Sequence, residues 1–195
     1  MTTETPEPLD AATTALLVMD YQNGILERIE DAPALLDRVS GAIARVRSGG
    51  GTIGYVRVGF ADGEAPAGAM GRRIDRETAQ TMFHADAPAT QVHDKIAPQD
   101  GDIVVRKTRV GPFGTTDLHG QLRSRGIDTL ILAGISTSGV VLSAVRDGHD
   151  RDYRLVVASD LCADPEPDVH AFLIERIFPR QAEVVTREEL YRRLS

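Results

Sequence analysis

The chain has 195 residues, 42% apolar and 26% charged, which fits one domain with a sizeable core. A net charge of −7 with no Lys/Arg run excludes a general nucleic-acid or anionic-membrane binder, although spots such as Arg72-Arg73 stay open to a small anion. The lone cysteine, Cys162, excludes an intrachain disulfide framework and argues against a cysteine-based metal site.

Residues 1–12 read as a short flexible lead, polar and acidic, without the basic-then-apolar pattern of a signal peptide. No apolar run approaches bilayer length, so the expected location is the cytoplasm, with no membrane partner. Residues 13–195 then read as one domain. Thr14–Asp20 is a short apolar run ending in a charge, the pattern of a strand buried on both faces. Residues 33–47 place Leu35, Leu36, Val39, Ile43 and Val46 on one helical face, with Pro33 suited to the first turn and glycines 49–51 as the stop. Thr52–Val58 is the second strand. Residues 59–100 are irregular, rich in Gly, Pro and Ala, and such a stretch in a compact domain is usually a working loop; a short helix fits near 75–82.

Regular pattern returns with strands at Asp102–Arg106, Thr129–Ala133, Arg154–Ala158 and Ala182–Val185. Helices are expected at 116–125, about 138–150, Glu166–Ile177 and 187–194. Strand and helix alternate, which predicts a doubly wound, Rossmann-like α/β fold: a mostly parallel six-stranded sheet with helices on both faces.

In such sheets ligands bind beyond the carboxyl ends of the strands, near the switch in strand order. The residues there are Asp20, Val58-Gly59, Arg106-Lys107, Gly134–Val140 and Ser159-Asp160. Singly each has an ordinary use: Asp20 as a cap, Lys107 as a solvated lysine, residues 134–139 as a Gly/Ser turn. Together they set an acid, a cation and a group of N–H donors at one end of one sheet. The glycine-rich nucleotide motifs and the G-x-S-x-G elbow are absent, so no cofactor is expected.

Three blocks carry a resemblance. Asp20 in ALLVMDYQNGIL, Lys107 in VVRKTRVGPF and the turn in LILAGISTSGVVLSAVRDGHD resemble, in order and spacing, the isochorismatase-like hydrolases from about residue 13 to 186. The resemblance implies a hydrolase of a small-molecule substrate, with Asp20 and Lys107 as catalytic residues. It makes Ile135, Ser136, Thr137 and Gly139 the oxyanion turn, with a cis peptide falling at Ile135–Ser136, and it assigns Gln22, Phe113 and Arg109 to the substrate pocket. It also implies a homodimer or homotetramer.

Many members of that family are amidases with an Asp–Lys–Cys triad, but here the cysteine position falls on Val140, with Gly139 before it. Cys162 lies outside the turn and reads as a small buried hydrophobe. The metal-binding branch carries an Asp and histidines after strand two; VGFADGEAPAGAM has no histidine, and the five histidines show no ligand spacing, so no metal is expected.

A branch without cysteine hydrolyses a vinyl ether, which needs a general acid, and Asp20 would be that acid. Burial raises its pKa while Lys107 lowers it, and the sequence leaves the balance open. Isochorismate, that branch's substrate, is a dianion; Arg57, Arg72, Arg73, Arg106 and Arg109 are candidate partners for it. Two alternatives stand beside this: a hydrolase using Ser136, Thr137 or Ser138 as nucleophile, and a member of the fold that only binds.

Overall fold

The computed structural model describes residues 7–194. In chain order its elements are β1 (Thr14–Met19), α1 (Asn23–Leu26), α2 (Ala32–Ser48), β2 (Thr52–Val58), α3 (Gly68–Gly71), α4 (Arg76–Gln80), β3 (Ile103–Lys107), α5 (Leu118–Ser124), β4 (Thr129–Ile135), α6 (Leu142–His149), β5 (Arg154–Ala163), α7 (Pro167–Phe172), β6 (Glu183–Val185) and α8 (Arg187–Arg193).

The strands form one sheet in the order β3-β2-β1-β4-β5-β6. Every pairing in it is parallel. The chain winds outward from β1 to β3, crosses back, and winds outward again from β4 to β6. The switch therefore falls between β1 and β4, and the crevice opens at their carboxyl ends.

β1 is buried along its whole length because helices cover both faces. Leu16 and Val18 pack with Leu35, Val39, Ile43 and Leu190 of α2 and α8. Ala15, Leu17 and Met19 pack on the other side with Leu118, Leu122, Ala144 and Val145 of α5 and α6. The predicted face of α2 is the buried one, extended by Ala42. Its end is the predicted glycine stop, with Gly50 in the left-handed region at φ 86°.

Several boundaries move. β4 continues through Gly134 and Ile135, and β5 through Cys162 and Ala163, because the two strands re-pair as Gly134↔Cys162 and Ile135↔Ala163 after a register shift. Cys162 thus lies on β5, not after it. The helix expected from about 138 begins as a π-turn over Thr137–Val141, and Leu173–Ile177 forms a second π-turn after α7. Residues 59–100 hold α3 and α4; the helix expected at 75–82 is α4, capped by Asp75 on the Thr78 N–H at 2.8 Å. The one-turn α1 and α3 are too short to leave a periodic signal.

Residues 1–6 of the expected lead lie outside the described residues. Residues 7–12 lie against the domain: Leu9 is buried and bridges Leu194, and Glu7 pairs with Arg154 at 3.2 Å.

Candidate active site

Asp20 is the first residue past β1. Its N–H donates to Val56 O at 2.8 Å, and its backbone is left-handed at φ 62°, a conformation Asp tolerates better than most residues. This turn lifts the carboxylate off the sheet edge into the switch-point crevice. One oxygen, Oδ2, meets Lys107 Nζ at 2.7 Å, and both side chains are almost wholly buried. The other, Oδ1, is buried with no hydrogen-bond partner. Burial pushes the Asp20 carboxyl up to about 6, against the lowering effect of Lys107. The balance that the sequence leaves open therefore falls on the side of burial.

Lys107 ends β3 and reaches back across β2. Its ammonium donates to Val110 O at 2.5 Å as well as to Asp20. The loop carrying Val110 is held by Thr108 N–H on Thr115 Oγ1 at 3.1 Å and by Thr116 Oγ1 on Pro112 O at 2.6 Å. A solvated surface lysine is excluded, since Lys107 is among the largest fully buried side chains.

The third wall is the turn after β4. The Ile135–Ser136 peptide bond is cis, where the resemblance puts it. Gly139 N–H donates to Ser136 O at 3.1 Å, Val141 N–H to the same carbonyl at 3.3 Å, and Ser138 N–H to Asp164 Oδ2 at 2.8 Å. These three donors are occupied within the protein and do not stand free as an oxyanion site.

A cleft of about 320 Å³ opens over these groups. It brings together Asp20, Lys107, Arg109, Ile135, Ser136, Gly139 and Val140 of the expected site. Four residues named from the sequence lie elsewhere. Gln22 donates to Val58 O at 2.7 Å and Thr90 O at 2.8 Å and accepts from Val58 N–H at 2.8 Å, so its amide stitches the irregular region to β2. Phe113 is buried against Tyr153, ring centroids 6.2 Å apart, in the core under α5 and α6. Thr137 is buried, with its hydroxyl 2.8 Å from His170 Nδ1. Ser138 is exposed and borders a different surface hollow.

The cleft also takes in Val110 from the Lys107 block, and Arg28, Met70, Ile74 and Phe83, which the motif blocks do not reach. Arg28 follows the one-turn α1, and Met70 lies in the one-turn α3 with Ile74 just after it; neither helix has a readable period. Among the candidate cations Arg73 and Arg109 line the cleft. Arg106 is instead held by Glu64 at 2.6 Å and Arg57 by Ala85 O at 2.7 Å.

Cys162 is buried in β5, outside the cleft lining, and burial pushes its thiol up to about 12. Among the described residues no three His, Cys, Asp or Glu side chains converge as a metal-binding group, and no helix is long and apolar enough to cross a membrane.

The chain matches the family model described as the isochorismatase domain over residues 14–189. It is 35% identical over 188 residues to the isochorismatase family protein YecD of Escherichia coli O157:H7, covering 93% of this chain and 96% of that protein. It is 31% identical over 188 residues to the ureidoacrylate amidohydrolase RutB of Methylobacterium radiotolerans, covering 84% of this chain and 72% of RutB. The cysteine hydrolase from Pseudomonas syringae pv. phaseolicola superposes with a TM-score of 0.89 at 25% identity, over 100% of this chain and 98% of that one. A family model spanning nearly all of the folded chain, on a sheet of the same construction, places this protein in the isochorismatase-like hydrolase family.

Proposed function

We propose that this chain hydrolyses a small-molecule substrate by acid–base catalysis centred on Asp20, assisted by Lys107 and without a cysteine nucleophile. The observation that carries this is the asymmetric carboxyl: Oδ2 on Lys107, Oδ1 without a partner, and a pKa pushed up to about 6 in a cleft that Cys162 does not reach. A carboxyl of that acidity exchanges its proton near neutral pH, which acid catalysis requires.

A vinyl ether suits such a group. Asp20 delivers its proton to the terminal methylene carbon as the C=C electron pair forms the new C–H bond, leaving an oxocarbenium-like carbon. Water adds there and returns a proton to the Asp20 carboxylate. The hemiketal then collapses to a ketone and an alcohol. Lys107 holds Oδ2 and so fixes the orientation of the Asp20 carboxyl. By the family resemblance Val140 fills the place of a nucleophile, and its buried isopropyl group offers none. Turnover of vinyl ethers should fall by about 100-fold or more in Asp20→Ala and in Lys107→Ala; full activity in Asp20→Ala would overturn the proposal.

The similarity to an amidohydrolase supports a second reading, an amidase with a hydroxyl nucleophile. Of the three hydroxyls in the turn only Ser136 lines the cleft. Against it, the Gly139 N–H of the expected oxyanion turn already donates to Ser136 O at 3.1 Å. Labelling of Ser136 by a fluorophosphonate probe, with amide turnover lost in Ser136→Ala, would establish this alternative. Tight ligand retention with no turnover of vinyl ethers, amides or esters would mark a member of the fold that only binds.

A further inference from the structure

Arg106 precedes Lys107 on β3 but takes no part in the cleft lining. Successive residues of a strand face opposite ways, so β3 turns Lys107 toward Asp20 and Arg106 away from it. There Arg106 Nη1 donates to Gly59 O at 2.9 Å and to Glu64 Oε2 at 2.6 Å, and its Nη2 lies 3.4 Å from Glu64 Oε1. A forked contact of this kind fixes direction as well as distance. Glu64 Oε2 also accepts the Ala61 N–H at 2.8 Å, so the carboxylate is oriented from two sides. The Arg106 guanidinium, and after it the Ala61 N–H, hold the Glu64 carboxyl below the usual carboxylate range.

Glu64 stands where the chain begins to wall the cleft. Gln80 of α4 ties residues 61–64 into a knot. Its Nε2 donates to Ala61 O at 2.9 Å and to Glu64 O at 2.6 Å, and its Oε1 accepts the Gly63 N–H at 3.2 Å. Past this knot the restraint stops. Among the described residues the hydrogen bonds of residues 65–74 are internal; the Arg73 and Ile74 N–H groups, for example, both donate to Met70 O, at 2.9 and 3.0 Å. Yet Met70, Arg73 and Ile74 line the cleft. The polar restraint on their pose therefore comes from the two ends of the stretch, Glu64 on one side and α4 on the other.

From this arrangement we infer that Arg106 and Glu64 are positioning residues for the cleft: their forked ion pair latches the stretch that carries Met70, Arg73 and Ile74, and so sets the fit of the ligand without touching the Asp20–Lys107 pair. One strand end then serves both purposes, Lys107 for the acid and Arg106 for the wall. The inference rests on the reading of this cleft as a substrate site.

The test uses the full chain, the variants Arg106→Gln and Glu64→Gln, and the double variant. Arg72 and Arg73 are exposed, so trypsin reports how often the stretch opens. Each single variant is cut there about fivefold faster than the parent, and the double variant no faster than either single, because the same contact is lost in all three. Arg106→Lys keeps the charge but not the fork and is cut at an intermediate rate. The second readout is phenyl vinyl ether, followed by release of phenol. Its KM rises about threefold in the single variants, while kcat and the Asp20 titration by carbon-13 NMR stay at the parent values. The inference is overturned if trypsin cuts the variants no faster than the parent, if the single effects add in the double variant, or if KM stays level while cleavage rises. If the ether binds without being hydrolysed, its dissociation constant by ligand-observed NMR replaces KM, and the catalytic proposal alone fails. Normal turnover with level affinity in the variants defeats this inference alone. An ether that the parent does not bind defeats both.

Discussion

Lys107 Nζ sits 2.7 Å from Asp20 Oδ2, and yet the Asp20 carboxyl is a weaker acid than a free aspartate. A lysine at that distance ordinarily lowers a carboxyl pKa. Here the removal of water from both oxygens, one of which has no partner at all, outweighs the neighbouring charge.

That balance sets the sign of the pH dependence. The acid form is the populated form below about 6 and is lost above it. Vinyl-ether hydrolysis should therefore decline as pH rises through about 6, the rate falling about tenfold per pH unit beyond that point. An amidase using Asp20 as a base would show the opposite limb, with activity rising through the same value. A pH–rate profile of kcat/KM separates the two.

Replacing Lys107 by Met removes the one influence that lowers the Asp20 pKa and keeps the apolar bulk. The carboxyl should titrate higher than in the parent chain, and at neutral pH it should take up a proton rather than stand as a bare buried charge. Carbon-13 NMR of labelled aspartate follows this directly. A downward shift would mean that burial does not govern the site.

Gln22 tests structure apart from chemistry. Its amide makes three hydrogen bonds in the interior, to Val58 N–H, Val58 O and Thr90 O. Gln22→Leu should cost roughly 2–4 kcal/mol, because those backbone groups lose their partner away from water. Urea denaturation measures the loss. If Gln22 were a substrate ligand instead, stability would stay level and KM would rise.

Gly139 and Ser136 should be coupled. A Cβ at Gly139 would lie 2.8 Å from Ser136 Oγ, so Gly139→Ala must turn the serine hydroxyl out of its present rotamer. The cost should be about 1 kcal/mol in the parent and should largely vanish with Ser136→Ala. A double-mutant cycle in urea measures it, and additive effects would contradict the contact.

The sheet was legible because its strands are apolar on both faces, a pattern that follows from burial between two helical layers. Asp20, Lys107 and the turn after β4 were legible because a switch point in a parallel sheet has only a few strand ends to offer. Phe113 and Gln22 were misplaced because a motif position carries no information about which way a side chain faces. Phe113 turned into the core and Gln22 toward Thr90. Arg28 and the residues around α3 were missed because one-turn helices have no period, and their approach to the cleft depends on long-range closure. The extra length of β5 was hidden because the strand re-pairs only after its register with β4 shifts.

Residues 61–83 leave and rejoin the domain through one narrow neck. Phe60 N–H donates to Phe83 O at 2.9 Å, Ala85 N–H donates to Phe60 O at 2.8 Å, and Gln22 clamps the strand just below. With its ends fixed close together, lengthening the excursion raises the loop-closure cost only slowly, by about 0.6 kcal/mol per doubling. It also supplies Met70, Arg73, Ile74 and Phe83 to the cleft. On the proposed reading, ligand preference belongs to this segment and the acid–base work to Asp20 and Lys107. A graft of this segment from one family member to another should carry ligand preference with it while the host sheet and its acid–base pair stay as they are.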